Sequence, residues 1–235
     1  MHKFFMITGT LINALAIILG SLFGIFIRRR LPERLAKLVF QSMGLFSLYM
    51  GLNMTLKSQA EPVLMAFSLV FGVLVGETFR IEDKLTARLD KLKANVKGAG
   101  NKFTEGLITS SVLFAVGSMA IVGPIEEALL GQTEIIYTKS MMDGFTSILL
   151  AAGFGYGVLF SFIPVLVLQG GVGLLAKFVE PYLEQELISL ISGTGGLLII
   201  ALGFSIMEIK KFSVLNMLPA LIFAIILYFS TKGLF

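Results

Sequence analysis

Apolar residues run along the chain in eight blocks, at about 4–27, 36–56, 62–79, 104–124, 135–154, 156–178, 187–207 and 213–231. A helix that crosses the hydrocarbon core of a bilayer needs about 20 such residues, so each block has the length of one span. The first run is too long for the h-region of a signal peptide, and no small-x-small site follows it, so it reads as a true span. Residues 135–178 form one stretch interrupted only by Gly153, Gly155 and Gly157. It is too long for one crossing, and the glycines are where it divides; a broken or re-entrant helix is the alternative there.

Between the third and fourth blocks the pattern changes. Ile81, Leu85, Leu89, Leu92 and Val96 recur at helical spacing with charges between them. This predicts a cytoplasmic amphipathic helix on the lipid surface, ended by Gly98-Ala-Gly-Asn101. The expected organisation is a three-span unit (1–80), the amphipathic helix with its linker (81–102), and a five-span unit (103–235). The fold class is all-α: a polytopic integral membrane helical bundle of about eight transmembrane helices.

Composition agrees. Of 235 residues, 56% are hydrophobic and 14% charged, against about 25% charged in a soluble domain. Charge then orients the chain. Fourteen of the 19 Lys and Arg residues fall after the first, third and seventh blocks. Eight crossings put all of them on one side, which the positive-inside rule makes cytoplasmic. The expected location is a bacterial inner membrane, multi-pass, with both termini extracytoplasmic. The basic residues sit in short loops, which argues against nucleic-acid binding.

Two internal echoes stand out. Gly20-x-Leu22-x-Gly24-x3-Arg28 recurs as Gly72-x-Leu74-x-Gly76-x3-Arg80, and Gly44-Leu45-x5-Gly51 recurs as Gly196-Leu197-x5-Gly203. The second pair lies on spans of opposite direction. It suggests that spans 1–3 are an inverted repeat of spans 6–8, an arrangement used by secondary transporters; chance, in a glycine-rich chain, is the other reading. The GxxxG pairs Gly20/Gly24, Gly72/Gly76 and Gly153/Gly157 let helices approach closely in lipid. They read first as packing within one subunit, with a homo-oligomer face as the second option. The runs Gly170-Gly171-x-Gly173 and Gly193-x-Gly195-Gly196 would permit unwinding or close approach of a solute.

Several chemistries are excluded. There is no Cys, and the single His is His2. No GxxxxGK[ST] or HExxH motif occurs, and Asp143 is the only Asp in any span, which rules out a paired-aspartate protease. An enzyme is therefore not expected, nor a cofactor. What remains is a set of polar residues inside spans, each costly in lipid and so turned toward protein. Asp143 leads, with Ser140 and Ser147 one turn to either side. Such oxygens suit a hard cation or a proton; an ion pair with Lys139 is the competing structural reading. Asn13 and Gln169 offer amides in the first and sixth spans. Ser118 lies near Gly123-Pro124, where the fourth helix is expected to end, which would leave Glu126 and Glu127 solvated outside. Gln41, Asn53 and Asn216 lie nearer span ends and read as structural.

Four stretches carry a resemblance: Gly9-Thr-Leu-Ile-Asn13-x6-Gly-Ser-x2-Gly24, Gly117-Ser-Met-Ala-Ile-Val-Gly123, Lys139-Ser-Met-Met-Asp-Gly144 and Asn216-Met-Leu-Pro-Ala220. With these the chain resembles, over nearly its whole length, the bacterial multi-pass membrane proteins grouped as domain of unknown function 554. Their label, a membrane protein of sodium channel or pump type, implies cation transport. Where members carry an acidic-Gly pair after the second motif, this chain has Glu126-Glu127-Ala128, which weakens a binding role for Glu126. The expected function is a secondary transporter or channel for a small solute, a monovalent cation (Na⁺ or H⁺ coupled) first. Asn13, Ser118, Ser140, Asp143, Ser147 and Gln169 are its candidate binding residues. The alternative is a membrane scaffold or regulatory subunit that holds partner proteins or anionic lipid through the GxxxG faces and the basic helix.

Overall fold

The computed structural model describes residues 8–28, 32–94, 96, 100–182 and 184–232, and all regular structure among them is helical. The order is α1 (Thr8–Arg28), α2 (Glu33–Lys57), α3 (Pro62–Thr78), α4 (Ile81–Ala94), α5 (Phe103–Ala115), α6 (Met119–Leu130), α7 (Glu134–Phe154), α8 (Tyr156–Leu159), α9 (Phe162–Leu174), α10 (Ala176–Val179), α11 (Gln185–Ile206), α12 (Val214–Met217) and α13 (Pro219–Thr231). The amphipathic α4 forms as the spacing predicts. In the linker after it, Gly98 and Ala99 lie outside the described residues, as do His2 and Lys3.

Four stretches are long and apolar enough to cross a membrane: Thr8–Arg28, Tyr156–Leu174, Gln185–Ile206 and Val214–Thr231. Two bent pairs, α3 with α4 (58°) and α5 with α6 (55°), bring the number to six if each is one span. The eight-span reading also needs α2 and α7, which are 25 and 21 residues long. One expected boundary moves. The helix at 104–124 does not end at Gly123-Pro124; the chain breaks earlier, at 116–118, and Pro124 lies inside α6.

The chain clusters into two compact units. The first comprises residues 1–43, 92–115 and 119–182, and the second 44–91, 116–118 and 183–235.

In the first unit α1 and α7 run side by side in the same direction. Gly9 faces Ile136, Ala16 faces Gly144, Gly20 faces Ser147, and Gly24 faces Ala151. A Cβ on Gly20 would collide with the Gly144 carbonyl and one on Gly24 with that of Ile148, so this contact requires glycine. The opposite face of α1 shows Leu11, Leu15, Leu19, Leu22 and Phe26, the face suited to lipid. Helix α7 is amphipathic in the reverse sense from a soluble helix. It buries Lys139, Ser140, Asp143 and Ser147 and exposes Met141, Met142, Phe145 and Leu149. The expected division among Gly153, Gly155 and Gly157 holds: Gly155, at φ 79°, separates α7 from α8. The Arg28 guanidinium donates to the Gly153 carbonyl at 2.8 Å and so satisfies an end group of α7.

The second unit contains the other echo, and its two copies meet. Gly44 packs against Met207, and Gly196 against Thr55; Gly203 packs against Leu48, and Gly51 against Ile200. A Cβ on Gly51 would lie 2.6 Å from the Gly196 carbonyl oxygen, and one on Gly196 would lie 2.7 Å from that of Gly51. Each contact recurs with partners exchanged, as an isologous two-fold contact requires, and α2 and α11 are antiparallel. Helix α3 is likewise antiparallel to the α12–α13 segment, with Gly72 on Ala220 and Gly76 on Asn216. These directions are the ones that eight alternating crossings demand: first with fifth parallel, second with seventh and third with eighth antiparallel.

Candidate functional site

In the first unit the inward polar face of α7 meets α1 and α9. Asp143 is 6% exposed and Lys139 7%; Asn13 and Gln169 are fully buried. Lys139 Nζ donates to Asp143 Oδ2 at 2.7 Å, within the same helix. Asn13 Nδ2, from α1, donates to that oxygen at 3.0 Å and to Gln169 Oε1, on α9, at 3.1 Å. A carboxylate, an ammonium and two amides from three helices thus form one buried cluster. Two of its atoms stay unpartnered, Asn13 Oδ1 and Gln169 Nε2. A buried polar atom without a partner costs about 1–3 kcal/mol, and here two stand beside an ion pair.

Of the six candidate residues, the fold brings Asn13, Asp143 and Gln169 together. Ser140 and Ser147 lie on the buried face of α7 as expected, yet each hydroxyl donates to its own helix, Ser140 to Ile136 O and Ser147 to Gly144 O, both at 2.7 Å. Their lone pairs remain, but neither hydroxyl bonds Asp143. Ser118 belongs to the second unit and is not a member of this cluster. Lys139 is the departure from the charge count. It is a buried partner of the carboxylate rather than one of the few cations in outer water, so the ion-pair reading and the buried-carboxylate reading both describe Asp143.

A second acidic group was expected in solvent and is not there. Glu127 is 4% exposed, and its Oε1 accepts the Gly9 N–H at 2.6 Å. The helix continues through Pro124, which turns Glu127 inward to the first described turn of α1. Glu127 Oε2 and Thr10 Oγ1 are buried without partners. Hydrophobicity gave no signal for this; only the four-residue spacing from Gly123, which packs on Ile136, puts both on one face.

The second unit holds a polar cluster of its own. Asn216 donates to Glu77 at 2.7 Å and accepts from the Glu82 N–H at 2.7 Å, while Glu82 accepts from the Leu215 N–H at 3.3 Å. It ties the α3–α4 bend to α12, the structural role expected of Asn216. The glycine runs differ. Gly193, Gly195 and Gly196 are tightly packed, whereas nothing lies within 4 Å of a Cβ on Gly170 or Gly171, next to Gln169. Neither run unwinds its helix. Among the described residues no group of three or more His, Cys, Asp or Glu side chains is placed to hold a metal ion.

The chain is similar to the Bacillus subtilis (strain 168) protein named "Uncharacterized membrane protein YdfK", 35% identical over 218 residues that cover 91% of this chain and 92% of that one. It is also similar to the Escherichia coli (strain K12) protein named "Uncharacterized protein YqgA", 32% identical over 224 residues, 93% and 95% of the two chains. No solved structure matches it. The family described as "Protein of unknown function (DUF554)" matches residues 8–229. A polytopic helical bundle with polar residues turned inward, matched almost end to end, is therefore a membrane protein of that family, and the chain belongs to it.

Proposed function

We propose that this protein carries a monovalent cation, Na⁺ first, across a bacterial inner membrane as a secondary transporter or channel, with both termini extracytoplasmic. The observation that carries this reading is Asp143, a carboxylate buried in the middle of a helical unit and reached from α1 and α7 at once. Holding such a group away from water costs several kcal/mol per ion, which an ion pair seldom recovers in full. Buried ionisable residues in a membrane protein accordingly tend to mark ion pathways. Asp143 supplies the charge, Asn13 an unpartnered amide oxygen, and Gln169 orients Asn13 from α9. Gly170 and Gly171 leave open space beside Gln169.

The test is Na⁺ uptake into liposomes holding the purified protein. Asp143→Asn keeps the shape and removes the charge, so uptake falls at least tenfold, the equivalent of about 1.4 kcal/mol. Uptake at the wild-type rate by that variant, or by the double variant Asp143→Asn with Lys139→Gln, would assign the pair to folding alone.

A further inference from the structure

The position that a cation would take on Asp143 is already held. Lys139 sits one turn before it on the same helix, and its ammonium is 2.7 Å from Asp143 Oδ2. The two side chains are 9% and 8% exposed, so water does not screen the pair. With both charged, the cluster is neutral. A free cation placed on the same carboxylate while Lys139 stays would set two positive charges a few ångströms apart beside one negative charge. In an interior of low dielectric constant that arrangement is strongly unfavourable.

From this we infer that Lys139 is a tethered competitor: its ammonium and the transported cation are alternative occupants of Asp143, each binding only as the other leaves. The inference rests on the cation reading of Asp143 and adds to it a specificity-setting residue. Its physical content is exchange at constant charge. One cation enters, one ammonium withdraws, and the buried cluster never carries a net charge. Asn13 is built to remain through the exchange. Both hydrogens of its amide nitrogen are engaged, by Asp143 and by Gln169, while its Oδ1 is free to accept from the ammonium or to ligate the cation. The neighbouring acidic group, Glu127 on α6, is held by the Gly9 N–H of α1, so the competition is set within α7 itself. A competitor on the same helix, four residues away, has a high effective concentration. The apparent affinity for the external cation is therefore reduced by the fraction of time that Lys139 is bound.

Two substitutions move that fraction in opposite directions. Lys139→Gln removes the competitor. Lys139→Arg strengthens it, because a guanidinium forks a carboxylate with two parallel hydrogen bonds. The measurement is thermal unfolding of the full-length protein in detergent, with NaCl exchanged for choline chloride at constant ionic strength. In Lys139→Gln the Na⁺ concentration giving half the stabilisation drops by about tenfold or more relative to wild type, and in Lys139→Arg it rises. In the double variant Lys139→Gln with Asp143→Asn the Na⁺ dependence disappears. Should Lys139→Gln fail to fold, the upward shift in Lys139→Arg carries the test. Equal Na⁺ dependence in wild type and both single variants would overturn the competitor, as would full Na⁺ stabilisation of the double variant. Liposome uptake separates the two claims. Loss of uptake in Asp143→Asn with unshifted Lys139 variants leaves the cation reading standing without the competitor; intact uptake in Asp143→Asn removes both.

Discussion

Gly20 and Gly170 are both glycines inside spanning helices, and the structure asks opposite things of them. At Gly20 a Cβ would strike the Gly144 carbonyl and the Ser147 hydroxyl; at Gly170 it would meet nothing within 4 Å. Gly20→Ala should therefore destabilise by about 1–3 kcal/mol, the usual cost of overpacking. Gly170→Ala should be neutral or stabilise by up to about 1 kcal/mol, since glycine is the poorer helix former. Thermal unfolding in detergent checks this, and shifts of the same sign would contradict it. Glu127 gives a second contrast. Glu127→Gln retains an oxygen for the Gly9 N–H, whereas Glu127→Leu leaves that donor buried and unpaired. The leucine variant should be less stable than the glutamine variant by about 1–3 kcal/mol. Equal melting temperatures would mean that the bond contributes nothing.

Helices here are arranged by which face can be withdrawn from lipid. Helix α1 withdraws small and polar residues and shows leucines; α7 withdraws Lys139 and Asp143 and shows methionine and phenylalanine. Lipid offers no hydrophobic drive between helices, so the contacts are made by close backbone approach. The α2–α11 pair does this twice over, with Gly51 and Gly196 each against the other's backbone. Because the local two-fold relation pairs Gly51 with Gly203, Gly51→Leu and Gly203→Leu should cost similar amounts, on the order of 1–3 kcal/mol each. Because Gly51 and Gly196 meet in one contact, the double variant Gly51→Leu with Gly196→Leu should cost clearly less than its two single variants together. Strict additivity in that double variant would rule out the shared contact, and a large loss from only one of Gly51→Leu and Gly203→Leu would break the symmetry.

Across the whole molecule, direction of packing and distribution of charge lead to the same path. The basic loops lie on one side if the chain crosses eight times, and the parallel α1–α7 and antiparallel α2–α11 pairs have the sense that this path requires. The chain lacks cysteine, so single cysteines report topology without background. A cysteine at Lys93 should be shielded from an impermeant thiol reagent in intact cells, and one at Gln132 should react. Labelling of both from outside would exclude the eight-crossing path.

Much of this was legible in order along the chain. Apolar runs of span length fix an all-helical membrane protein whatever the tertiary arrangement, because a backbone in lipid must bond within its own segment. The amphipathic 81–94 helix and the division near Gly155 follow from local spacing and local backbone freedom. The cost of an Asp in a span was enough to mark Asp143 as turned inward. Partners on other helices were not legible. That Asn13 and Gln169 reach this region depends on helices more than a hundred residues apart meeting, and no periodicity encodes that. The hydroxyls of Ser140 and Ser147 went to their own helix, since a serine in lipid finds a carbonyl one turn back at little cost. Glu127 was misplaced because a Pro in sequence signals a helix end, while in a packed bundle the rest of the helix can carry on through it. Lys139, four residues before Asp143, was legible as its ion-pair partner, and the structure adds that both side chains are buried. Sequence by itself determined that the chain is an all-helical membrane protein and which residues are too polar to face lipid. Only the tertiary structure decided which of those residues meet, because that choice is made by close contact between helices, where one methyl group is enough to forbid an approach.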